Sequence, residues 1–188
     1  MKGKRGLVMG VANDHSIAWG IAKKLAEQGA DLAFSYQGEA FGRRVKPLAE
    51  QVGAKLVVSC DVEDSASVAA TFKALEDAWG GLDFVVHAIG FSDKNELKGL
   101  YADTTRDNFV RTMVISCYSF TEVARHAAAL MPETGGAMVT LTYAGSVRVM
   151  PNYNVMGVAK AALEASVRTG PAEIALTRMP RGPKSLAR

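Results

Sequence analysis

Tyr153 and Lys160 stand seven residues apart in Pro151-Asn-Tyr153-Asn-Val-Met-Gly157-Val-Ala-Lys160, a segment that reads as helix. Seven steps of about 100° return the second residue to within roughly 20° of the first, two turns along one face. Helical side chains lean toward the N-terminus, so the Lys160 ammonium is directed back toward the Tyr153 phenol over a rise of about 10 Å. A cation so placed favours charge on a phenol and can hold a ligand beside it. Such a pair also occurs on plain solvated helical faces, so its meaning depends on the elements that position it.

Those elements follow from the apolar pattern. Short apolar runs at residues 6–9, 31–34, 55–59, 82–87 and 137–142 lack clean alternation, as strands covered on both faces do. Between them Ile17/Ile21/Leu25, Phe41/Val45/Leu48/Val52 and Val68/Phe72/Leu75/Trp79 recur at helical spacing. Phe109/Met113/Cys117/Phe120/Ala124/Ala127/Met131 extends the same period into the longest helix. Gly29, Gly53 and Gly80-Gly81 fall where C-terminal caps belong, and Pro132 closes the fourth helix. Five β-α units in succession predict an α/β fold, a Rossmann-like doubly wound parallel sheet with five clear strands.

In such a sheet ligands bind beyond the carboxyl ends of the strands. The first strand runs into Gly10-Val-Ala-Asn-Asp-His-Ser16-Ile17-Ala18-Trp-Gly20, where Gly10 permits a tight turn and Ser16 can cap a helix facing a pyrophosphate. A plain strand-to-helix turn with a serine cap explains the same residues, since the pattern is not G-x-G-x-x-G. Tyr36-Gln37 follows the second strand, where an acid selects NAD and a base NADP; Gln37 is neither, with Arg43 and Arg44 downstream. Cys60-Asp61-Val62 follows the third, where Asp61 suits an adenine amino group or a helix cap equally. His87-Ala88-Ile89-Gly90-Phe91 follows the fourth, with Gly90 allowing close backbone approach to a ribose or nicotinamide.

Composition narrows the function classes. A length of 188 residues, with 48% hydrophobic and 22% charged residues, suits one ordinary globular domain. No apolar run reaches the roughly 18 residues of a membrane span and no signal peptide opens the chain, so a cytoplasmic location is expected. Cys60 and Cys117 read as reduced core thiols, and the scattered His15, His87 and His126 predict no metal site. The net charge of +3 resides in residues 169–188, through Arg178, Arg181, Lys184 and Arg188 against Glu173. A neutral main domain predicts no nucleic-acid binding.

With these turns and the Tyr153/Lys160 pair in place, residues 3–168 resemble the short-chain dehydrogenase/reductase superfamily. The resemblance is closest to its divergent branch, the enoyl-[acyl-carrier-protein] reductases of bacterial type II fatty-acid synthesis. It rests on Gly10…Ser16-Ile17-Ala18, on Ala88-Ile89-Gly90-Phe91, and on Thr140-Leu141-Thr142-Tyr143 followed by Met150-Pro-Asn-Tyr153…Lys160. Ketoreductases of the superfamily place Tyr and Lys four apart, whereas the interval of seven marks the enoyl reductases. The resemblance implies hydride transfer from NADH, or less commonly NADPH, to C3 of a trans-2-enoyl thioester. It implies Tyr143, Tyr153 and Lys160 as catalytic residues: Tyr153 stabilises the developing enolate oxygen, Lys160 hydrogen-bonds the nicotinamide ribose, and Tyr143 lies near the acyl chain. Gly10, Ser16, Ile17, Gln37, Asp61, Val62, Ile89 and Lys160 match cofactor contacts, and Ser92 a substrate contact. The family is usually a homotetramer served by acyl carrier protein.

The chain departs from the family toward its end. The family continues for several tens of residues, and the helix bearing Lys160 meets Gly170-Pro171 about five residues early, a rotation of roughly 140°. A helix-shortening deletion with a local frame disturbance accounts for this pattern. Residues 1–168 are thus expected to form an incomplete dinucleotide-binding reductase domain, and 169–188 a divergent basic tail. The stretch from Ala175 to Arg181 does not resemble the family's sixth strand, so the fifth strand is expected to present an unpaired edge and activity to be weak. The alternatives are a non-catalytic dinucleotide-binding remnant and a carbonyl reductase of the wider superfamily.

Overall fold

Side chains alternate along the first strand, β1 (Arg5–Met9): Leu7 and Met9 enter the core on one side and Val8 on the other. The computed structural model describes residues 1–169 and the strand at 174–178. After β1 come α1 (Ile17–Glu27), β2 (Asp31–Tyr36), α2 (Gly38–Gln51), β3 (Leu56–Ser59), α3 (Ser65–Trp79) and β4 (Phe84–His87). They are followed by α4 (Arg106–Met113), α5 (Ser119–Leu130), β5 (Ala137–Thr142), α6 (Asn154–Thr169) and β6 (Ile174–Arg178). All pairings are parallel, in the order β3-β2-β1-β4-β5-β6. Strand order reverses between β1 and β4, the place where such sheets leave a crevice.

Each face of the sheet has its own core. Trp19 and Ala22 of α1 and Val45 and Leu48 of α2 pack with Val8, Leu32 and Phe34 on one face. Phe72 and Leu75 of α3, Phe120 and Val123 of α5 and Leu163 of α6 pack with Leu7, Met9 and Val85 on the other. Burying one such Leu or Phe contributes about 1.5–3 kcal/mol. The helices stop where the sequence predicts: α3 ends on Gly80 with φ +68, the left-handed geometry that glycine adopts without a Cβ penalty.

The long helix predicted through Phe109 and Met131 is α4 and α5 joined by a π segment, Val114–Tyr118, whose flanking residues keep right-handed helical angles. Widened turns of this kind occur often at functional sites. Here the segment turns Ser116 toward the β4 turn, where its hydroxyl accepts from Phe91 N (2.9 Å) and donates to Phe91 O (3.0 Å).

One expectation is overturned. The carboxyl-terminal stretch does not leave β5 with an open edge: β6 pairs with it from Met138↔Ile174 to Thr142↔Arg178. An edge strand needs a ladder on one side only, so the mixed Ile174-Ala-Leu-Thr-Arg178 serves although it lacks the apolar run of an interior strand. The rest of the expected basic tail lies outside the described residues.

Candidate active site

A cavity of about 310 Å³ opens at the switch point between β1 and β4. Gly10, Gln37, Asp61, Val62 and Ile89 line it, five of the residues singled out in the sequence. Gly10 has φ +93, and a Cβ there would run into the carbonyl of Ala88, so glycine is needed both for the turn and for the close pass of β1 against β4.

Ser16 does not cap α1 with its side chain. Its Oγ instead turns back to accept from Ala12 N and Asn13 N, both at 3.0 Å, and so fixes the β1–α1 turn from within. Ile17 opens α1 and is half exposed; neither residue lines the cavity. Asp61 is likewise no helix cap, because Asp64 takes that place and accepts from Ala66 N at 2.9 Å. That leaves Asp61 at the cavity wall, accepting from Glu63 N (2.9 Å) and from Gln37 Nε2 (3.0 Å).

The reactive end is built differently. Lys160 is buried on α6, and its Nζ donates to Leu141 O at 2.9 Å and more weakly to Ile89 O at 3.5 Å. The ammonium therefore sits at the carboxyl ends of β4 and β5, against the turn that walls the cavity. Burial pulls its pKa down to about 8. Beneath it His87 is fully buried between Thr140 Oγ1 (3.1 Å) and Ser119 Oγ (2.9 Å). Ser119 spends its proton on Ile115 O, so Nε2 of His87 carries the hydrogen and Nδ1 accepts from Thr140. Burial first, then the Lys160 charge, pushes this histidine down to about 3, and it is neutral.

Tyr153 packs against Tyr143, ring centroids 5.1 Å apart at 60°, and lines a second opening with Tyr101, Ser146 and Gly157. The expectation that the Lys160 cation favours charge on this phenol is not met. Desolvation, reinforced by Tyr143, pushes Tyr153 up to about 12, so the phenol holds its proton. Asn152 and Asn154 on either side have φ +55 and +29, a left-handed backbone that asparagine tolerates better than most residues. Asn154 Nδ2 donates to Glu96 O, Lys98 O and Gly99 O at 3.1–3.4 Å and so ties the loop after β4 to the start of α6.

Ser92 lies in a polar knot, its hydroxyl donating to Asn108 Oδ1 (3.3 Å) and accepting from Thr112 (2.9 Å). It lines neither opening. The sequence reading missed Phe41, Arg111 and Ile115 in the cavity wall, and Glu164, which is buried and accepts from Thr142 Oγ1 (2.7 Å) and Ser146 Oγ (2.6 Å). Arg111 has the pattern of a solvated helix residue; Glu164, one turn after Lys160, is signalled only as an acid interrupting an apolar stripe. Among the described residues no cluster of metal-ligating side chains occurs, and no helix is long and apolar enough to cross a membrane.

Known proteins place this geometry. The chain is 76% identical over 168 residues to enoyl-[acyl-carrier-protein] reductase [NADH] 2 of Rhizobium meliloti (strain 1021), covering 89% of this chain and 62% of that one. A second reductase of that organism, [NADH] 1, is 63% identical over 89% of this chain and 61% of its own. The chain thus spans a little over three fifths of these relatives. The crystal structure of FabI from Candidatus Liberibacter asiaticus superposes with a TM-score of 0.90 at 57% identity, over 99% of this chain and 74% of that one. The Anaplasma phagocytophilum reductase, solved in complex with NAD, superposes at 0.86 with 59% identity over 89% and 64%. The family model described as enoyl-(acyl carrier protein) reductase matches residues 10–178, and with that span the chain belongs to this family.

Proposed function

We propose that this chain carries the dinucleotide site and the reactive residues of an NADH-dependent reductase acting on trans-2-enoyl thioesters borne by acyl carrier protein. The observation that carries the reading is the seat of Lys160, whose ammonium lies against Leu141 O and, at 3.5 Å, against the carbonyl of Ile89, a residue of the cavity wall. The cavity residues suit a dinucleotide, Gly10 for the pyrophosphate, Gln37, Asp61 and Val62 for the adenosine end and Ile89 for the nicotinamide ribose, with Lys160 reaching that ribose from behind Ile89. Ser16 and Ile17 belong to the same site through the β1–α1 turn. When bound, the reduced nicotinamide supplies the hydride that adds to C3 of the thioester.

The chain's own groups do the rest. Tyr153, with its pKa pushed up to about 12, stays protonated at neutral pH and donates to the thioester carbonyl, where negative charge develops as C3 is reduced. Lys160 is positively charged below about pH 8 and holds a ribose hydroxyl. Tyr143 braces the Tyr153 ring and faces the acyl chain, while Ser92, which lines neither opening, serves the substrate side through its bonds to Asn108 and Thr112. The relatives named above carry NADH in their names, and Gln37 brings no positive charge for the extra phosphate of NADPH. The reading includes a homotetramer in the cytoplasm.

A second reading, a remnant that binds dinucleotide without turning over, is favoured by Tyr153 lining a different opening from the cavity of Gly10 and Asp61. Fluorescence titration with NADH beside a turnover assay on crotonyl thioester separates the two. Turnover supports the reductase; binding alone supports the remnant. Reduction of acetoacetyl thioester in place of the crotonyl substrate would establish a carbonyl reductase.

A further inference from the structure

Arg111 is the one charged residue of α4 that reaches the cavity wall among the described residues. Its guanidinium grips Glu63 in fork geometry, Nε to Oε1 and Oε2 at 2.9 and 3.1 Å and the terminal nitrogen to Oε2 at 2.9 Å. The same guanidinium lies over the Phe91 ring, 4.6 Å from its centroid. Phe91 closes the turn after β4 and Glu63 sits in the turn after β3, two strands that β2 and β1 separate. Three strand spacings are about 14 Å, so the arginine bridges turns that share no backbone contact.

We propose that Arg111 is a positioning residue for the adenosine half of the dinucleotide, acting through Glu63 on the Asp61–Val62 wall. The inference rests on the dinucleotide reading of the cavity given above. Its direction follows from which anchor is the firmer. Ser116 holds Phe91 by both its N–H and its C=O, independently of Arg111. Glu63 follows Asp61 and Val62 directly and donates its own N–H to Asp61 Oδ1. Ser67 Oγ and Gln37 Nε2 also hold Asp61, and the clasp on the Glu63 carboxylate adds a tie that reaches this wall from α4. Losing the arginine therefore leaves the nicotinamide-side turn in place and loosens the adenosine-side turn. The strap exists before any ligand arrives, and preorganisation of this kind lowers the cost of ordering the wall on binding. A planar fork over an aromatic ring is a geometry that lysine does not reproduce.

The test measures binding by the full chain of NADH, of ADP-ribose as an adenosine-half probe and of reduced nicotinamide mononucleotide as the other half. Arg111→Ala and Glu63→Gln are each expected to weaken NADH and ADP-ribose about three- to tenfold, with the mononucleotide changed less than about twofold. Arg111→Lys should fall with Arg111→Ala rather than with the parent. The exchanged pair Arg111→Glu with Glu63→Arg should recover part of the loss, a rescue that a general folding defect would not give, and unchanged melting midpoints confirm intact folds. Equal loss for all three ligands, or no loss for ADP-ribose, would overturn the proposal. A parent chain that binds none of the three sinks the dinucleotide reading itself and this inference with it; a parent that binds while the variants match it sinks only the strap.

Discussion

In the β1–α1 turn beside the cavity, polar groups are satisfied by near neighbours, Ser16 Oγ by the N–H groups of Ala12 and Asn13. At the β5–α6 end they are buried and satisfied across the fold, Lys160 by carbonyls 19 and 71 residues away and Glu164 by a hydroxyl 22 residues away. A turn built from its own residues forms as soon as the local chain does. A buried cation on long-range acceptors exists only when the sheet, π segment and α6 are all in place, and it opposes folding until they are. The β1–α1 turn is thus supplied locally and the Lys160 end globally, and the Lys160 end carries the stability burden.

The largest test of this contrast removes the charge at the reactive end. Lys160→Met should lower any turnover at least about hundredfold while the melting midpoint holds or rises. The sign follows from linkage. The folded pKa of about 8 lies below the ordinary value of 10.5, so the folded chain binds its proton less tightly than the unfolded one. The resulting penalty is fully present below pH 8 and disappears as pH rises to about 10.5. Over that interval the Lys160 contribution to stability should improve while NADH affinity worsens. A Lys160→Met chain should show neither slope in paired titrations of melting and binding, and a parallel fall of both in the parent would contradict the assignment.

Glu164 should show the opposite balance. Glu164→Leu leaves the buried Thr142 hydroxyl and the Ser146 hydroxyl without this acceptor, at a cost of about 2–4 kcal/mol by urea unfolding. Glu164→Gln keeps an oxygen in place and should lose less than half of that. If both variants unfold with the parent, the polar knot beside Tyr143 does not hold α6 to β5.

The same contrast explains what was legible in the sequence. Gly10, Gln37, Asp61 and Ile89 sit at strand ends, and strand ends are marked by the apolar run stopping and a turn residue beginning, so the residue pattern alone locates them at the cavity. The first five strands were legible for the same reason. β6 was not, because an edge strand needs only one ladder and its sequence alternates incompletely. The π segment was also invisible: Ser116 and Ser119 stand beside Cys117 and Phe120 of the apolar stripe with nothing to set them apart, and only the widened turn aims one at Phe91 and the other at His87. Spacing put Tyr153 and Lys160 on one helical face, but α6 starts at Asn154 and the left-handed Asn152 precedes Tyr153, so the phenol stands before the helix. The electrostatics of both groups depend on desolvation, which no spacing reveals. A phenol pushed up to about 12 rather than down is the consequence.

The smallest effect belongs to the turn that assembles itself. Ser16→Ala removes the hydroxyl that accepts from Ala12 N and Asn13 N, yet both donors stand in a turn that is not deeply buried, and water can replace the acceptor. The stability loss should therefore be about 0.5–1 kcal/mol. Binding should suffer more than folding does, because the freed turn must be ordered again each time a pyrophosphate enters beside Gly10, and NADH affinity should fall about three- to tenfold. Ser16→Thr, which keeps the hydroxyl, should restore most of it. Were Ser16→Ala instead to destabilise the chain as much as Glu164→Leu does, the β1–α1 turn would be a global element like α6, and the division between a locally built turn and a globally built α6 end would fail at its simplest point.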